Sequence, residues 1–501
     1  MNQSQSSHDL LIIGGGVNGV GIAADAAGRG LDVVLCEKAD LASATSSSSS
    51  KLIHGGLRYL EHYKFGLVRK SLQERELLSS AAPHIIRPLA FHIPQLPHSR
   101  GSILLRAGLF LYDHLARRKR FGSSRGIRIE KDGPLNPAIR RGFEYWDAQV
   151  DDARLVVLNA LQAKKYGATI LTRTECTEIN PTDEGWSVTL HDKINNTERI
   201  VQTKAIINAT GPWVASVAEK LASQTASHEI RLVKGSHIVV PRIHEGEQAF
   251  LLQHHDGRIV FIMPYLQKYS LIGTTEQKFE GDLDQVEISN EEISYLISIV
   301  NLYFKKPVMR SDIIYSFAGV RPLIEEEGKD ASSVSREYRL ELEQNPQAIL
   351  SVYGGKVTTY RVLADEAMEK MRGIFPGLGP SWTAMAKLPG GDFDAPETLF
   401  QQLAVDHAWL GPDIINRWLQ SYGTISFDIL GDAKGPEDMG IKFGNNLYQR
   451  EVDYLCTHEW ARTVDDILWR RSKLGYEFSR EDRTSLANYI EQSFPNTNSP
   501  A

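Results

Sequence analysis

The chain has 501 residues, with 56 Lys and Arg against 62 Asp and Glu, a formal net charge of −6 and three cysteines. At the usual ~100–200 residues per domain that length implies two to four domains rather than one core. The negative balance excludes a global basic field for nucleic acid, and Cys36, Cys176 and Cys456 are too scattered for a disulfide framework or a metal site, so reduced thiols in a cytoplasmic setting are expected.

The N-terminus, MNQSQSSHD, lacks the basic start of a signal peptide, and no apolar run approaches the ~20 residues needed to span a bilayer. Residues 10–13 form a short apolar run that reads as a buried parallel strand. Gly14-Gly15-Gly16-Val17-Asn18-Gly19 follows at once, a G-x-G-x-x-G that opens an Ala-rich helix. Gly14 permits the tight turn, Gly16 leaves room for a pyrophosphate, and Gly19 lets the helix pack on the strand. The helix N-terminus then offers free N–H groups to an anion. A second strand over residues 32–36 ends on Glu37, 18 residues after Gly19, where a carboxylate can accept from a ribose. Strand, glycines, helix, strand and acid in that order form a dinucleotide-binding unit.

The serine run at residues 45–50 has the composition of a flexible linker. Its position, after the second strand and before His54-Gly55-Gly56-Leu57-Arg58-Tyr59, equally suits a loop whose donors crowd a phosphate or a planar ring. Residues 67–80 read as a helix ended by Pro83 and Pro88. Residues 98–131 are strongly basic and enclose the apolar segment 103–112, too short to span a membrane. That segment reads either as an interfacial helix or as a core helix followed by a basic loop.

A strand end and a capped helix are expected over residues 144–165, then a meander over 169–179, 186–190 and 199–203. Residues 205–208 return to the nucleotide sheet and end on the Gly211-Pro212 turn. A second β-rich block, residues 232–241, 258–264 and 270–275, has the pattern of a substrate-bearing sheet. Residues 348–353 make one more apolar strand before Gly354-Gly355-Lys356-Val357-Thr358-Thr359, which opens a helix and offers another anion or ring site. Beyond Leu388-Pro389-Gly390-Gly391 the patterns are helical, as over residues 451–473.

Nine segments in order, IIGGGVNGVGIAADAAGRG, SSSSSKLIHGGLRYLEHY, NATGPWV, VKGSHIVVP, IGTT, FAGVRPL, YGGKVTTYR, LPGG and HEWARTVDDILWRR, give the chain its family likeness. It resembles the bacterial aerobic, membrane-associated FAD-dependent glycerol-3-phosphate dehydrogenases over nearly its whole length. The resemblance implies an α/β fold with three parts. A glutathione-reductase-like, Rossmann-type FAD domain would comprise residues 1–80, 145–230 and 315–387. A mixed β-sheet substrate domain would take residues 81–144 and 231–314, and an α-helical C-terminal domain residues 388–501.

For FAD the resemblance implies Gly14, Gly16, Asn18, Gly19, Glu37, Thr45, Ser46, Ser50, His54, Gly211, Gly355, Lys356 and Thr358. For substrate it implies Arg58, Tyr59, His237, Arg321, Arg336 and Lys356, with His237, Arg321, Lys356 and Arg58 in the catalytic set. It further implies oxidation of sn-glycerol 3-phosphate to dihydroxyacetone phosphate, electrons passing to a membrane quinone. The protein would then be cytoplasmic and peripheral on the inner face of the cell membrane, held by anionic lipid, with a homodimer left open. Oxidising a secondary alcohol needs a hydride acceptor over C2 and a base for the hydroxyl proton. His237 is the natural base, with Lys356 and His54 as rivals. A phosphate dianion calls for forked donors, which Arg321 and Arg336 supply. An oxygen-using glycerol-3-phosphate oxidase and a non-catalytic flavoprotein are the alternative readings.

Overall fold

A computed structural model describes residues 6–96, 101–221, 230–324, 337–393 and 395–495. Strand β1 (Ser6–Ile13), helix α1 (Val17–Gly28) and strand β2 (Val33–Cys36) follow one another as the sequence predicts. The strands are apolar on both sides because both faces of their sheet are covered. Leu10 and Ile12 pack among helical residues such as Val20, Val156 and Leu363. Leu11 and Ile13 pack on the other face against Ile179, Trp186 and Val188 of a hairpin.

The parallel strands run in the order Ile349–Tyr353, Thr197–Asn208, β1, β2 and Thr169–Leu171, and Arg339–Glu343 adds an antiparallel edge. Ile13 stands level with both Asn208 and Cys36, so three strands end together and their following loops converge. A second, mixed sheet is built on Ile230–Pro241, which pairs with Tyr315–Ile324 on one side and Tyr269–Gly273 on the other. It continues through Ile259–Tyr265, Ala249–Gln253, Ile86–Pro94 and Arg141–Val150 to Leu52–Ile53. Helix Asn290–Tyr303 covers part of one face, contributing Leu296, Ile299 and Val300 to the core there.

Several segments differ from the sequence reading. Residues 169–179 are not one strand: Arg173, at φ +53°, turns the chain, so Thr169–Leu171 joins β2 in parallel and Thr174–Thr182 begins the hairpin. Tyr315–Ile324, expected within the nucleotide domain, pairs over its full length with the second sheet, as do Leu52–Ile53 and Arg141–Val150. An apolar run does not reveal which sheet takes its backbone bonds. The helical pattern at residues 451–473 splits into Gln449–His458 and a short turn at Asp466–Arg471.

The apolar segment of residues 103–112 lies on helix Ser102–His114, and only part of it faces out. Leu109 and Tyr112 are buried and Leu105 and Leu111 pack on the same core, whereas Ile103, Leu104 and Phe110 are 88%, 71% and 57% exposed. Among the basic residues after it, Arg118 is paired with Asp113 at 3.1 Å. Among the described residues no helix is long and apolar enough to cross a membrane.

The helical C-terminal part is tied to the nucleotide part by buried ion pairs. Arg471 makes a fork on Asp40 at 2.6 and 2.9 Å, Arg154 holds Glu459, Arg173 holds Asp466, and Lys473 donates to Asp151 at 2.9 Å. His84 lies in the same junction, against Gly390, Gly423 and Phe393, and neither ring nitrogen has a hydrogen-bond partner among the described residues. Burial, reinforced by the Arg154 charge, pulls its pKa down to about 3. In the unfolded chain the imidazole takes its proton near 6.5. Stability is therefore intact above about 6.5 and falls as pH drops from there toward 3, since the unfolded state binds the extra proton. Chemical denaturation of wild type should lose about 2 kcal/mol more than His84→Asn between pH 7 and 5. Parallel pH dependences for the two proteins would show that His84 does not carry the effect.

Candidate functional site

A cavity of about 880 Å³ opens where the parallel strands end. Its walls include Gly14 after β1, Glu37 after β2, Thr210 and Gly211 after Thr197–Asn208, and Gly354 and Gly355 after Ile349–Tyr353. Ligands of open α/β sheets bind at the carboxyl ends of the strands, and this volume is near the upper end for small-molecule sites.

The glycine turn has the spacing the fingerprint requires. Gly14 has φ +112°, and a Cβ there would stand 2.7 Å from the Ala209 carbonyl oxygen. A Cβ on Gly19 would collide with the Gly14 carbonyl, so any side chain would push α1 off β1. Gly16 caps α1 without a side-chain bond, and the first-turn N–H groups have no acceptors within the helix. Glu37 accepts from Gly15 N at 2.7 Å and Ala39 N at 2.8 Å. Burial pushes its carboxyl up and these two N–H groups oppose the shift.

The serine run is structured, so the linker reading is overturned. Thr45–Ser47 forms a tight helical turn, Ser46 Oγ accepts from Val17 N at 3.0 Å, and Thr45 Oγ1 donates to Val320 O at 2.7 Å. Ser49 N and Oγ both donate to Asp152 Oδ2, at 3.2 and 2.7 Å, and Lys51 Nζ donates to Asp152 Oδ1 at 2.8 Å. Asp152 is buried on the first turn of helix Asp152–Lys165, so one carboxylate fixes the loop. The segment has a linker's composition but not a linker's neighbours.

Around this loop gathers a second set of residues. His54 N donates to Thr358 Oγ1 at 3.2 Å, and Lys356 Nζ lies 4.0 Å from the Tyr59 ring centre. Asn18 Nδ2 donates to Gly354 O at 3.3 Å, which ties α1 to the Gly354-Gly355 turn. Arg321 lines the wall beside Gly319 and Val320, its Nη2 2.9 Å from where a Cβ on Gly235 would lie.

Of the residues singled out in the sequence, Gly14, Gly16, Asn18, Glu37, Thr45, Ser46, Ser50, His54, Tyr59, Gly211, Arg321, Gly355, Lys356 and Thr358 line this one cavity. Gly19 lies beneath it, packing α1 on β1. Arg58 is off the wall, 3.8 Å from the Glu276 carboxylate. His237 is fully buried and does not line the cavity, with Ser50 Oγ 3.0 Å from its Nε2. Arg336 falls outside the described residues. Residues the sequence reading missed are Asp152 and Lys51, which fix the serine loop, and Lys38, Trp213 and Asp284 at the cavity wall. Lys38 stands over the Trp213 ring at 4.3 Å and pairs with Asp284 at 2.8 Å. Only adjacency to Glu37 could have pointed to Lys38.

Residues 9–360 match the FAD dependent oxidoreductase family. The chain belongs to that family. Residues 381–492 match a second family, described as the C-terminal domain of alpha-glycerophosphate oxidase. A glycerol-3-phosphate dehydrogenase of Pseudomonas aeruginosa is 50% identical over 97% of this chain and 96% of its own. The aerobic glycerol-3-phosphate dehydrogenase of Escherichia coli is 44% identical over 96% of this chain and 97% of its own. The D-erythritol 1-phosphate dehydrogenase of Brucella abortus is also 44% identical, over 97% of this chain and 98% of its own. Among solved structures, the Bacillus halodurans glycerol-3-phosphate dehydrogenase complexed with FAD superposes with TM-score 0.78 at 25% identity, over 98% of this chain and 92% of that one.

The residues present fit FAD. The glycine turn and the α1 N-terminus suit a pyrophosphate, Glu37 suits a ribose, and the buried Asn18 Oδ1 has no hydrogen-bond partner among the described residues. A Cβ on Gly16 would stand 3.1 Å from Ser46 Oγ, and the rest of a valine would extend into space the pyrophosphate needs. Gly16→Val should therefore purify without the yellow flavin absorbance, and a yellow Gly16→Val protein would contradict this placement.

Proposed function

We propose that this chain oxidises sn-glycerol 3-phosphate to dihydroxyacetone phosphate and that its electrons pass to a membrane quinone. The observation that carries the substrate reading is the pairing of a guanidinium and an ammonium, Arg321 and Lys356, on the wall of the same cavity that holds the dinucleotide cradle. FAD supplies the acceptor for the hydrogen and electron pair that leave C2. Arg321 holds the phosphate dianion through its planar fork. Lys356, held over Tyr59, balances negative charge that develops during reduction, and Tyr59 packs against the substrate's carbon chain. Arg58, off the wall and beside the Glu276 carboxylate, has no direct part in this reading. His237 is the proton acceptor, and burial with the charges of Arg321 and Lys51 pulls its pKa well below the ordinary histidine value, so it begins neutral.

We further infer that helix Ser102–His114 rests on a membrane surface. Its outward residues, Ile103, Leu104 and Phe110, would enter the headgroup boundary while Arg117, Lys119 and Arg120 meet anionic lipid. Tyr63 and Phe65, 81% and 39% exposed beyond the turn on which this helix packs, add apolar area. Such an attachment brings the flavin toward a quinone dissolved in lipid.

Anaerobic addition of sn-glycerol 3-phosphate should bleach the flavin, with D-erythritol 1-phosphate, glycerol and sarcosine reducing it far more slowly. Oxygen uptake that matches turnover would favour the oxidase alternative. Arg321→Lys keeps the charge and loses the fork, so kcat/KM should fall about 10²-fold, on the order of 3 kcal/mol, with FAD retained. Unchanged kinetics would make Arg321 structural.

The membrane reading has its own test. Ile103→Asp with Phe110→Asp should abolish sedimentation with anionic vesicles while flavin reduction in solution persists. Sedimentation equal to wild type would place the membrane contact elsewhere.

A further inference from the structure

His237 has no surface in the cavity, yet it is the residue assigned the substrate's proton. Its ring is clamped: Phe317 stacks on it at 4.9 Å and 14°, and on its other side Gly273 lies so close that a Cβ there would come within 2.7 Å of Nε2. A ring held between a strand glycine and an aromatic face cannot swing toward a ligand without unpacking the second sheet. Its Nδ1 has no hydrogen-bond partner among the described residues, and its Nε2 meets the hydroxyl of Ser50 at 3.0 Å. Ser50 does line the cavity, and its position is fixed from both sides, by the Ser49 and Lys51 bonds to Asp152 and by the β-pairing of Leu52 with Gln149.

We propose that Ser50 is a catalytic residue, the proton relay between the substrate's C2 hydroxyl and His237. This rests on the oxidation proposed above. The substrate O–H bond breaks and its proton passes to Ser50 Oγ, while the Ser50 O–H bond breaks and that proton passes to His237 Nε2. The C2–H bond breaks with its electron pair leaving to the flavin, and the C2–O bond becomes a carbonyl. Substrate is oxidised by two electrons, flavin is reduced by two, and the proton stored on His237 returns along the same path to water after product leaves. Nε2 must begin as the bare nitrogen, which puts the resting proton on Nδ1.

The charged groups facing the ring are Arg321, from the strand paired with Ile230–Pro241, and Lys51, from the serine loop. Lys51 is paired with Asp152 at 2.8 Å. A phosphate dianion on Arg321 offsets the other charge, so the relay gains basicity when a phosphorylated substrate is bound.

The test is single-turnover reduction of the holoenzyme's flavin by sn-glycerol 3-phosphate. Ser50→Ala should slow reduction about 10²-fold at saturating substrate with half-saturation and flavin content near wild type. Ser50→Thr, which keeps a hydroxyl, should recover most of the rate. His237→Ala should lose as much as Ser50→Ala, and the double variant no more than either, because two groups in series act as one unit. In mixtures of light and heavy water the wild-type rate should bow downward with deuterium fraction, as two protons in flight require. Ser50→Ala within about two-fold of wild type, losses that multiply in the double variant, or a linear wild-type proton inventory would each overturn the relay. The inventory needs no variant, so it decides even if Ser50→Ala emerges without flavin. A wild-type flavin that glycerol 3-phosphate does not reduce would remove the functional reading itself; one reduced equally fast in both proteins would remove only the relay.

Discussion

Helix α1 stands so close to β1 that Gly19 has no room for a methyl group beside the Gly14 carbonyl, and much of the molecule follows from that contact. With the helix seated there, its N-terminus points at the carboxyl ends of the parallel strands, where partial positive charge and N–H groups without intrahelical acceptors collect. The level endings of β1, β2 and Thr197–Asn208 then bring Gly14, Glu37 and Thr210 to one wall. The second sheet closes the other wall with Thr274 and Arg321. In the proposed reading an anion would be held by backbone and a substrate by side chains, in one cavity and on different donors.

Among the described residues the C-terminal part adds no strand to these two sheets and joins them through apolar packing and buried charge. Arg471 on Asp40, Arg154 on Glu459 and Lys473 on Asp151 are buried pairs joining residues hundreds of positions apart. Such pairs add little net stability against a well-packed apolar alternative, but removing one partner leaves an uncompensated charge at a cost of about 3–5 kcal/mol. Asp40 lies three residues after the Glu37 carboxylate and Asp151 next to the Asp152 that holds the serine loop. The helical part shares one continuous apolar core with the nucleotide part, and these ion pairs tie it beside the two loops that shape the cofactor site.

The glycine fingerprint, β1, α1, β2, Glu37 and the Gly354–Gly355 turn were legible in the sequence because local chemistry decides them: positive φ, close approach and apolar continuity leave marks on neighbouring residues. The serine loop was only half legible, since its order comes from Asp152, about a hundred residues away. Strands could be read where their pairings could not, and Tyr315–Ile324, which the resemblance put within the range of the nucleotide domain, takes its backbone bonds from Ile230–Pro241. His237 could be singled out, but nothing in its surroundings by sequence indicates that its ring is walled off by Phe317 and Gly273. The amphipathic helix over residues 102–114 had the right composition, yet which of its leucines face inward depends on the core it meets.

The strand order has a consequence for how the protein is made. A chain emerging from the ribosome N-terminus first presents β1, the glycine turn and β2 early, but Thr197–Asn208 waits for Ile349–Tyr353 to pair on its far side, and the Asn18 side chain waits for Gly354. Such distant pairings are slow to find, because the loop between them must close before any contact rewards it. The cofactor cradle therefore stays incomplete until Gly354 has been added, 336 residues after Asn18. Only from that point on would FAD meet its whole cradle, and until then the apolar faces of the early strands lack their cover.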